Sequence, residues 1–276
     1  MSRTAMRNGT ASVNGAEIYY EVRGDGTPVL CISGGFGDGA AWETVATLLA
    51  DSHSVISYDR RGHSRSPRPL GWTSTSMDEQ AADAAGLLDS LALGPAVVYA
   101  NSLGGGIGLT LALRRPDLLR LVILHEPFLP SMLADPAEAS APTRAVVGPF
   151  VAVGDMRGAA DALLRLLLGD AYDQLPAAQR ERLLGNADTL FGIDSRDLAE
   201  LNVDVAVPTV PLTIAHGTES PAFLTAGARR LAEILGKELV MIPGAHVPQL
   251  THPPAVADTI RRTLGEANRP AADGRG

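Results

Sequence analysis

A single serine, Ser102, stands at the end of an apolar run and at the head of a glycine-rich helical segment, in Ala100-Asn101-Ser102-Leu103-Gly104. A strand that turns sharply into a helix between small residues lifts a serine hydroxyl above the sheet and aims the helix N-terminus at the group it attacks. The pattern is G-x-S-x-G with alanine, the smallest substitute, in the first glycine position. It predicts a nucleophilic serine that forms an acyl-enzyme.

A serine hydroxyl needs a base, because it is a poor nucleophile at neutral pH. Of the six histidines, His246 is the candidate, since it lies in a loop between an apolar strand-like run, 239–242, and the last helical pattern. A histidine at the C-terminal end of such a strand can reach over the sheet to the serine. His252 is more typical of a residue that starts a helix.

The negative charge that develops during acyl transfer needs backbone N–H groups that converge on one oxygen. We expect one from Leu103, the residue after the nucleophile. The other should come from the glycine-rich loop 33–37, where glycine lets the backbone approach a substrate closely. The N–H of Gly35 is favoured, with that of Phe36 as the alternative.

Two carboxylates compete to orient the imidazole and stabilise its cation. Glu126 lies just after the strand-like run 121–124 and precedes Pro127, which restricts the chain there. Glu219 follows the run 210–215 on a looser turn. A carboxylate at the end of a central strand is costly to bury unless it is paired, which favours Glu126, and Glu219 remains the alternative acid.

Short apolar runs that alternate with helical patterns must position these groups. Such runs are typical of parallel strands covered by helices on both faces. Asn14-Gly15 lies between two further strand-like segments and indicates a hairpin, so we expect the sheet to begin antiparallel. The prediction is an α/β fold whose twisted, mostly parallel sheet has about eight strands. The apolar runs lie at 28–33, 54–58, 96–100, 121–124, 210–215 and 239–242.

Residues 127–208 break this alternation, with helix-like stretches at roughly 141–152, 156–169, 177–189 and 194–202 and no clear strand between them. An all-helical insertion there predicts a lid over the C-terminal edge of the sheet, where open α/β sheets bind ligands. The expected core domain is therefore 1–126 together with 209–276, and the lid is 127–208. The polar tail, 266–276, is expected to fray.

Composition narrows the function classes. The net charge is −8, and the sequence has no basic stripe that could neutralise the phosphates of a nucleic acid. No apolar run approaches the length needed to cross a bilayer. Cys31 is the single cysteine, so no intrachain disulfide can form, and residues 1–10 show no secretory signal. We expect a cytoplasmic protein with a small-molecule substrate, no metal and no cofactor, and in an oligomeric state that the sequence leaves open.

Together these residues resemble the α/β-hydrolase superfamily over roughly 17–126 and 208–265, with the lid unmatched. Four segments in the right order carry the likeness: a nucleophile elbow, a D-x-R-G-x-G-x-S turn, a His-Gly oxyanion loop and a catalytic histidine loop. In this chain they read Ala100-Asn101-Ser102-Leu103-Gly104-Gly105, Tyr58-Asp59-Arg60-Arg61-Gly62-His63-Ser64-Arg65-Ser66, Ser33-Gly34-Gly35 and Pro243-Gly244-Ala245-His246.

The departures from that pattern are informative. Ser33 replaces the usual histidine, and Ser64 replaces the second glycine of the turn. Members of the family commonly carry the acid as aspartate after the seventh strand, where this chain has Ser220. Others place a carboxylate after the sixth strand, and the resemblance implies that Glu126 fills that place.

The resemblance and the serine together predict a cofactor-free hydrolase of a small, fairly apolar carboxylic ester or lactone. Ser102 attacks, His246 shuttles the proton and Glu126 orients His246. Aspartate-nucleophile activities of the family, such as epoxide hydrolysis and dehalogenation, are disfavoured by the serine. An acyltransferase, a perhydrolase or a C–C hydrolase would use the same triad, and a non-catalytic ligand binder on the same scaffold is the alternative from another class.

Overall fold

The computed structural model describes residues 6–197 and 207–267. Within them eight strands form one sheet, as the sequence predicts. The strands are β1 (Met6–Val13), β2 (Ala16–Arg23), β3 (Thr27–Ile32), β4 (His53–Tyr58), β5 (Ala96–Asn101), β6 (Leu119–His125), β7 (Leu212–Gly217) and β8 (Leu239–Ile242). Their spatial order is β1-β2-β4-β3-β5-β6-β7-β8.

The predicted hairpin opens the sheet. Asn14 and Gly15 both have positive φ, 48° and 74°, which suits the two-residue turns whose twist matches that of the flanking strands. β1 pairs antiparallel with β2 and β2 pairs antiparallel with β4, while every later pairing is parallel. The mostly parallel sheet with an antiparallel edge is therefore confirmed.

Helices cover both faces of the sheet, as expected for apolar parallel strands. α2, α3 and α11 pack on one face, and α1 and α13 pack on the other. The α-helices are α1 (Glu43–Leu49), α2 (Met77–Leu91), α3 (Leu103–Arg114), α4 (Pro136–Ala139), α5 (Ala141–Ala152), α6 (Met156–Leu168), α7 (Ala171–Gln174), α8 (Ala177–Gly185), α9 (Ala187–Thr189), α10 (Ser195–Asp197), α11 (Ala222–Leu235), α12 (Pro248–Thr251) and α13 (Pro253–Ala267). 3₁₀ turns lie at Gly39–Trp42, Pro116–Leu118 and Pro130–Met132, and a π-helical turn at Leu190–Asp194.

Local signals in the sequence set several helix ends. The hydroxyl of Ser76 accepts a hydrogen bond from the N–H of Glu79 at 3.0 Å, which is the contact that begins a helix in a Ser-x-x-Glu capping box. Gly236 ends α11 with φ of 60°, a left-handed conformation that glycine adopts at little cost.

Between β6 and β7 the described chain is helical, from α4 to α10. α5 and α6 match the predicted stretches, and the stretch predicted at 177–189 divides into α8 and α9. The stretch predicted at 194–202 contains α10, and its residues 198–202 lie outside the described residues, as does the tail from 268 onward. In the part of the chain that the structure describes, no helix combines the length and apolarity needed to span a bilayer.

The sheet has a topological switch between β3 and β5. The chain leaves β3 for β4 on one side and later adds β5, β6, β7 and β8 on the other. Loops at the carboxyl ends of two neighbouring strands then diverge and leave a crevice, which is where open α/β sheets bind ligands. The loop after β3 begins at Ser33, and Ser102 directly follows β5.

Candidate active site

Ser102 forms the sharp turn between β5 and α3. Its φ of 56° and ψ of −122° lie in a region that non-glycine residues rarely occupy. Neighbouring backbone groups hold it there: the N–H of Ser102 donates to the carbonyl of His125 at 3.0 Å, and its carbonyl accepts from the N–H groups of Gly105 at 2.8 Å and Phe128 at 2.9 Å. The strain presents the side chain at the head of the helix.

Glycines in α3 allow the helix to lie close to the sheet. A Cβ on Gly104 would be 2.6 Å from the carbonyl oxygens of both Ile32 and Ser33, so only glycine fits there. A Cβ on Gly108 would be 2.8 Å from that of Ala100. The missing side chain of Gly108 thus gives room for alanine in the first glycine position of the elbow motif.

Glu126 and His246 meet at the same edge of the sheet. Glu126 directly follows β6 and has a positive φ of 45°. Its Oε2 lies 2.6 Å from Nδ1 of His246, and its Oε1 accepts from the N–H of Gly217 at 2.7 Å. Both side chains are buried, so the pair is shielded from water.

The environment of Glu126 keeps its carboxylate ionised. Burial by itself would raise the pKa of this group, but the hydrogen bond and charge of His246 oppose that effect, and His125 adds to them. The net result lowers the pKa of Glu126 to about 2. A carboxylate that is ionised throughout the neutral range can stabilise an imidazolium beside it.

Glu219, the alternative acid, lies elsewhere. Its side chain is exposed, and its backbone N–H donates to the carbonyl of Gly244 at 3.0 Å. Among the described residues, the carboxylate that contacts Nδ1 of His246 is that of Glu126. Ser220, in the usual aspartate position, is near this pair, since a Cβ on Gly217 would be 2.8 Å from its hydroxyl oxygen.

Ser102 and His246 line one cavity of about 450 Å³, its mouth included. Gly34, Gly35 and Phe36, from the loop after β3, form part of its wall, and a Cβ on Gly34 would be 3.0 Å from that of Ser102. The rest is mainly apolar, and the described residues that line it include no lysine, arginine, aspartate or glutamate. The apolar part of the wall consists of Ala41, Leu164, Leu167, Leu168, Leu183, Val247 and Leu250.

Leu103 is the first residue of α3, so its N–H belongs to the four at a helix N-terminus that have no partner within the helix. Ser33 is the first residue of the loop after β3. Its hydroxyl accepts from Nε1 of Trp42 at 2.7 Å and donates to the carbonyl of Asp38 at 3.1 Å. The serine that replaces the family's histidine therefore supports the fold of the loop.

Two contributors to the site are missing from the predictions made from the sequence. The amide of Asn101 donates to the carbonyl of His246 at 2.8 Å and so ties the elbow to the histidine loop. The N–H of Gly217 binds Glu126, although nothing in the sequence marks this glycine as a donor. Asn101 lies inside the elbow motif, and that position is the one signal that could have drawn attention to it.

Comparison with known proteins identifies the class. Residues 27–253 match the family model described as the alpha/beta hydrolase fold, so the chain belongs to this family. A curated relative, the uncharacterized hydrolase YraK of Bacillus subtilis (strain 168), is 32% identical over 249 residues, which cover 87% of this chain and 90% of the relative.

Two further proteins resemble most of the chain. The 2-(acetamidomethylene)succinate hydrolase of Mesorhizobium japonicum (strain LMG 29417 / CECT 9101 / MAFF 303099) is 29% identical over 236 residues, which cover 81% of this chain and 82% of the relative. The crystal structure of the enol-lactonase from Burkholderia xenovorans LB400 superposes with a TM-score of 0.74 at 24% identity, covering 93% of this chain and all of that one. The protein is thus a hydrolase of the α/β-hydrolase fold.

Proposed function

We propose that this protein is a serine hydrolase that cleaves a small, fairly apolar carboxylic ester or lactone through an acyl-enzyme. Ser102 attacks the carbonyl carbon, and His246 takes the hydroxyl proton and passes it to the leaving alcohol. Glu126 orients His246 and stabilises its cation, and the N–H groups of Gly35 and Leu103 bind the oxyanion. Water activated by His246 then releases the acid, so the reaction needs no cofactor.

The observation that carries this proposal is the 2.6 Å contact between Glu126 and His246 at the wall of the cavity that Ser102 also lines. A carboxylate at Nδ1 sets the tautomer in which Nε2 is free to accept a proton. A strained serine at the head of a helix supplies the nucleophile. A purely structural role does not explain why both a carboxylate and an imidazole are buried here, because burial of polar groups is costly.

The substrate class follows from the lining of the cavity. Leucines of α6 and α8 line the same cavity as Ser102, and the described lining has no lysine or arginine. A substrate with two carboxylates, such as the one in the name of the Mesorhizobium relative, would therefore lack a counter-charge. An uncharged ester or lactone with a short hydrocarbon chain suits this wall.

The helical region 127–208 is proposed to act as the lid, with the core formed by 1–126 and 209–276. α6 and α8 of that region supply leucines to the cavity wall, which supports a role in substrate selection. A cytoplasmic location is also proposed, because a reducing compartment suits a chain whose single cysteine, Cys31, is a buried free thiol.

Other reactions would use the same acyl-enzyme. Its acyl group could be transferred to an alcohol or to hydrogen peroxide, and the acyl-enzyme could also form by cleavage of a C–C bond.

The test is covalent labelling with a fluorophosphonate probe, followed by a panel of uncharged esters and lactones of increasing chain length. We expect stoichiometric labelling of Ser102, none in Ser102→Ala, and turnover of neutral substrates in preference to dicarboxylate esters. A folded protein that the probe leaves unlabelled would instead be the ligand binder. A preference for acyl transfer over hydrolysis, measured as ester product in the presence of alcohols, would identify the transferase.

A further inference from the structure

We propose that a buried pair of residues, Arg60 and Asp194, together with Asn186, positions the peptide groups of the oxyanion loop, Ser33–Gly37. Asp194 and Asn186 belong to the helical region between β6 and β7, whereas Arg60 and the loop belong to the core. The helical region would then complete the catalytic site rather than only enclose it. This inference rests on the proposed serine-hydrolase function.

The carbonyl group of Gly35 is held from the core side. Nη2 of Arg60 donates to this oxygen at 3.2 Å and to Oδ2 of Asp194 at 2.7 Å. The side chains of Arg60 and Asp194 are both 0% exposed. The ion pair therefore fixes the guanidinium at the place from which it reaches Gly35.

His63 completes this side of the contact. Its Nδ1 lies 3.0 Å from the carbonyl of Arg61, and its Nε2 lies 3.2 Å from the carbonyl of Gly35 and 3.0 Å from Nη2 of Arg60. Burial, reinforced by the charge of Arg60, lowers the pKa of His63 to about 4, which keeps the ring neutral. A neutral ring adds no second positive charge beside Arg60.

The next carbonyl along the loop is held from the helical region. The Nδ2 amide of Asn186 donates to the oxygen of Phe36 at 2.9 Å, and its Oδ1 accepts from the N–H of Ser64 at 2.8 Å. Donor and acceptor each face a fixed partner, which determines the orientation of the amide. Gly35 and Phe36 are thus both anchored through their carbonyl groups.

The π-helical turn Leu190–Asp194 packs directly on the same loop. A Cβ on Gly35 would be 2.7 Å from Cδ1 of Leu190, and the rings of Phe191 and Phe36 meet edge to face with centroids 6.0 Å apart. π-helical turns are rare and often occur at functional sites, where they place one side chain out of helical register. Here the turn ends on Asp194, the partner of Arg60.

These contacts fix the direction of the N–H groups of Phe36 and Gly37, which follow the two anchored carbonyls in the same peptide planes. A loop rich in glycine can rotate its peptide planes at little cost, and a rotated plane would turn its N–H away from the substrate oxygen. The carbonyl of Gly35 shares its peptide plane with the N–H of Phe36, the alternative oxyanion donor, and the carbonyl of Phe36 shares its plane with the N–H of Gly37. Anchoring these carbonyls removes that freedom for the Phe36 donor before the substrate arrives, which is how an oxyanion hole is preorganised. A buried ion pair adds little to stability, so positioning is a better reason for this one.

The experiment uses two isosteric variants, Asn186→Asp, which removes the donor to Phe36, and Asp194→Asn, which removes the charge that holds Arg60. Asp83→Asn is the matched control, because Asp83 forms a buried ion pair with Arg61 and lies outside the oxyanion loop. Each purified protein is titrated with a fluorophosphonate to count active sites. We then measure kcat and KM for one neutral ester, the inhibition constant of an alkyl boronic acid, and Tm.

For Asn186→Asp and Asp194→Asn we expect kcat per titrated site to fall about tenfold or more, the boronate to bind weaker by a similar factor, and KM to change less than about threefold. Asp83→Asn should lower Tm and leave all three values near those of the wild type. Equal effects of the three variants, or a loss of Tm with unchanged kcat and boronate affinity, would overturn the positioning role. Failure of the wild type to label would count against the hydrolase function itself.

Discussion

The carboxylate of Glu126 lies 2.6 Å from Nδ1 of His246, although 120 positions separate the two residues in the chain. Each follows the carboxyl end of a parallel strand, Glu126 after β6 and His246 in the loop after β8. β7 lies between these strands and contributes the N–H of Gly217 to the other carboxylate oxygen. The sheet thus brings together the proposed base, the carboxylate proposed to orient it and a donor that holds this carboxylate.

This relationship predicts unequal effects of two conservative substitutions. Glu126→Gln keeps the shape of the side chain but removes the charge that stabilises the imidazolium and selects its tautomer. We expect kcat to fall by about 10³-fold or more, as in other triads whose acid is replaced by its amide. Glu219→Gln changes an exposed carboxylate and should alter kcat by less than about twofold.

The measurement is initial-rate kinetics on a neutral ester, with active sites counted by fluorophosphonate titration. Ser102→Ala sets the background rate. If Glu219→Gln lost activity and Glu126→Gln kept it, the acid of the proposed triad would be Glu219.

The low pKa of Glu126 predicts a simple acid limb in the pH profile. Since its pKa is lowered to about 2, the carboxylate stays ionised over the whole range in which the enzyme is folded and assayed. The loss of kcat/KM on acidification should then have a slope of one, because Glu126 contributes no protonation in this range. A slope of two above pH 4 would show that Glu126 is protonated in this range together with a second group.

The same shift has a consequence for stability. A carboxylate whose pKa is lower in the folded than in the unfolded protein stabilises the fold above its unfolded pKa, and this stabilisation is lost as the pH falls toward the folded value. For Glu126 that window runs from its ordinary value of 4.5 down to about 2. The pH midpoint of acid unfolding of the wild type, followed by circular dichroism, should lie within or above this pH range.

The sequence alone predicts those parts of the site that have local signals. Asn14-Gly15, the capping serine Ser76 and the small residues around Ser102 each announce a turn, a helix start or an elbow, and the structure has each of them. The choice between Glu126 and Glu219 depends on how far apart strands lie in space. The residues around the two carboxylates favour Glu126, but neither residue type nor spacing along the chain gives the distance of each carboxylate from His246.

The contacts between Arg60 and Asp194 have even less trace in the sequence, since 134 positions separate the two residues. Asp194 stands in Phe191-Gly192-Ile193-Asp194, where its burial depends on a π-helical turn that no simple periodicity reveals. Positioning groups of this kind become visible only when the tertiary structure brings the segments together.

Gly217 should tolerate no side chain. A Cβ there would be 2.4 Å from the carbonyl oxygen of Gly244 and 2.7 Å from that of Ala245, and these backbone atoms belong to the loop that carries His246. We expect Gly217→Ala to displace that loop and to reduce kcat per titrated site about tenfold or more, with a lower Tm.

The control for this substitution is Gly265→Ala, because a Cβ at that position in α13 would meet no atom within 4 Å beyond its chain neighbours and its own helix backbone. Alanine in a helix interior is favoured over glycine by about 0.5–1 kcal/mol, so this variant should keep full activity and have an equal or higher Tm. Wild-type kinetics in Gly217→Ala would show that the histidine loop can move aside without harm to the site.

The strained backbone of Ser102 predicts a difference between two inactive variants. Ser102→Ala and Ser102→Gly both remove the hydroxyl, but only glycine adopts φ of 56° and ψ of −122° without steric conflict. Strain of this kind costs about 1–3 kcal/mol, whereas glycine's greater freedom in the unfolded chain costs only about 0.4–1 kcal/mol. Ser102→Gly should therefore have the larger free energy of unfolding, by about 1 kcal/mol, in urea titrations whose m-values agree. Equal stabilities, or a more stable alanine variant, would mean that the elbow stores no strain, and the backbone of Ser102 would then need no support from its contacts with Gly105 and Phe128.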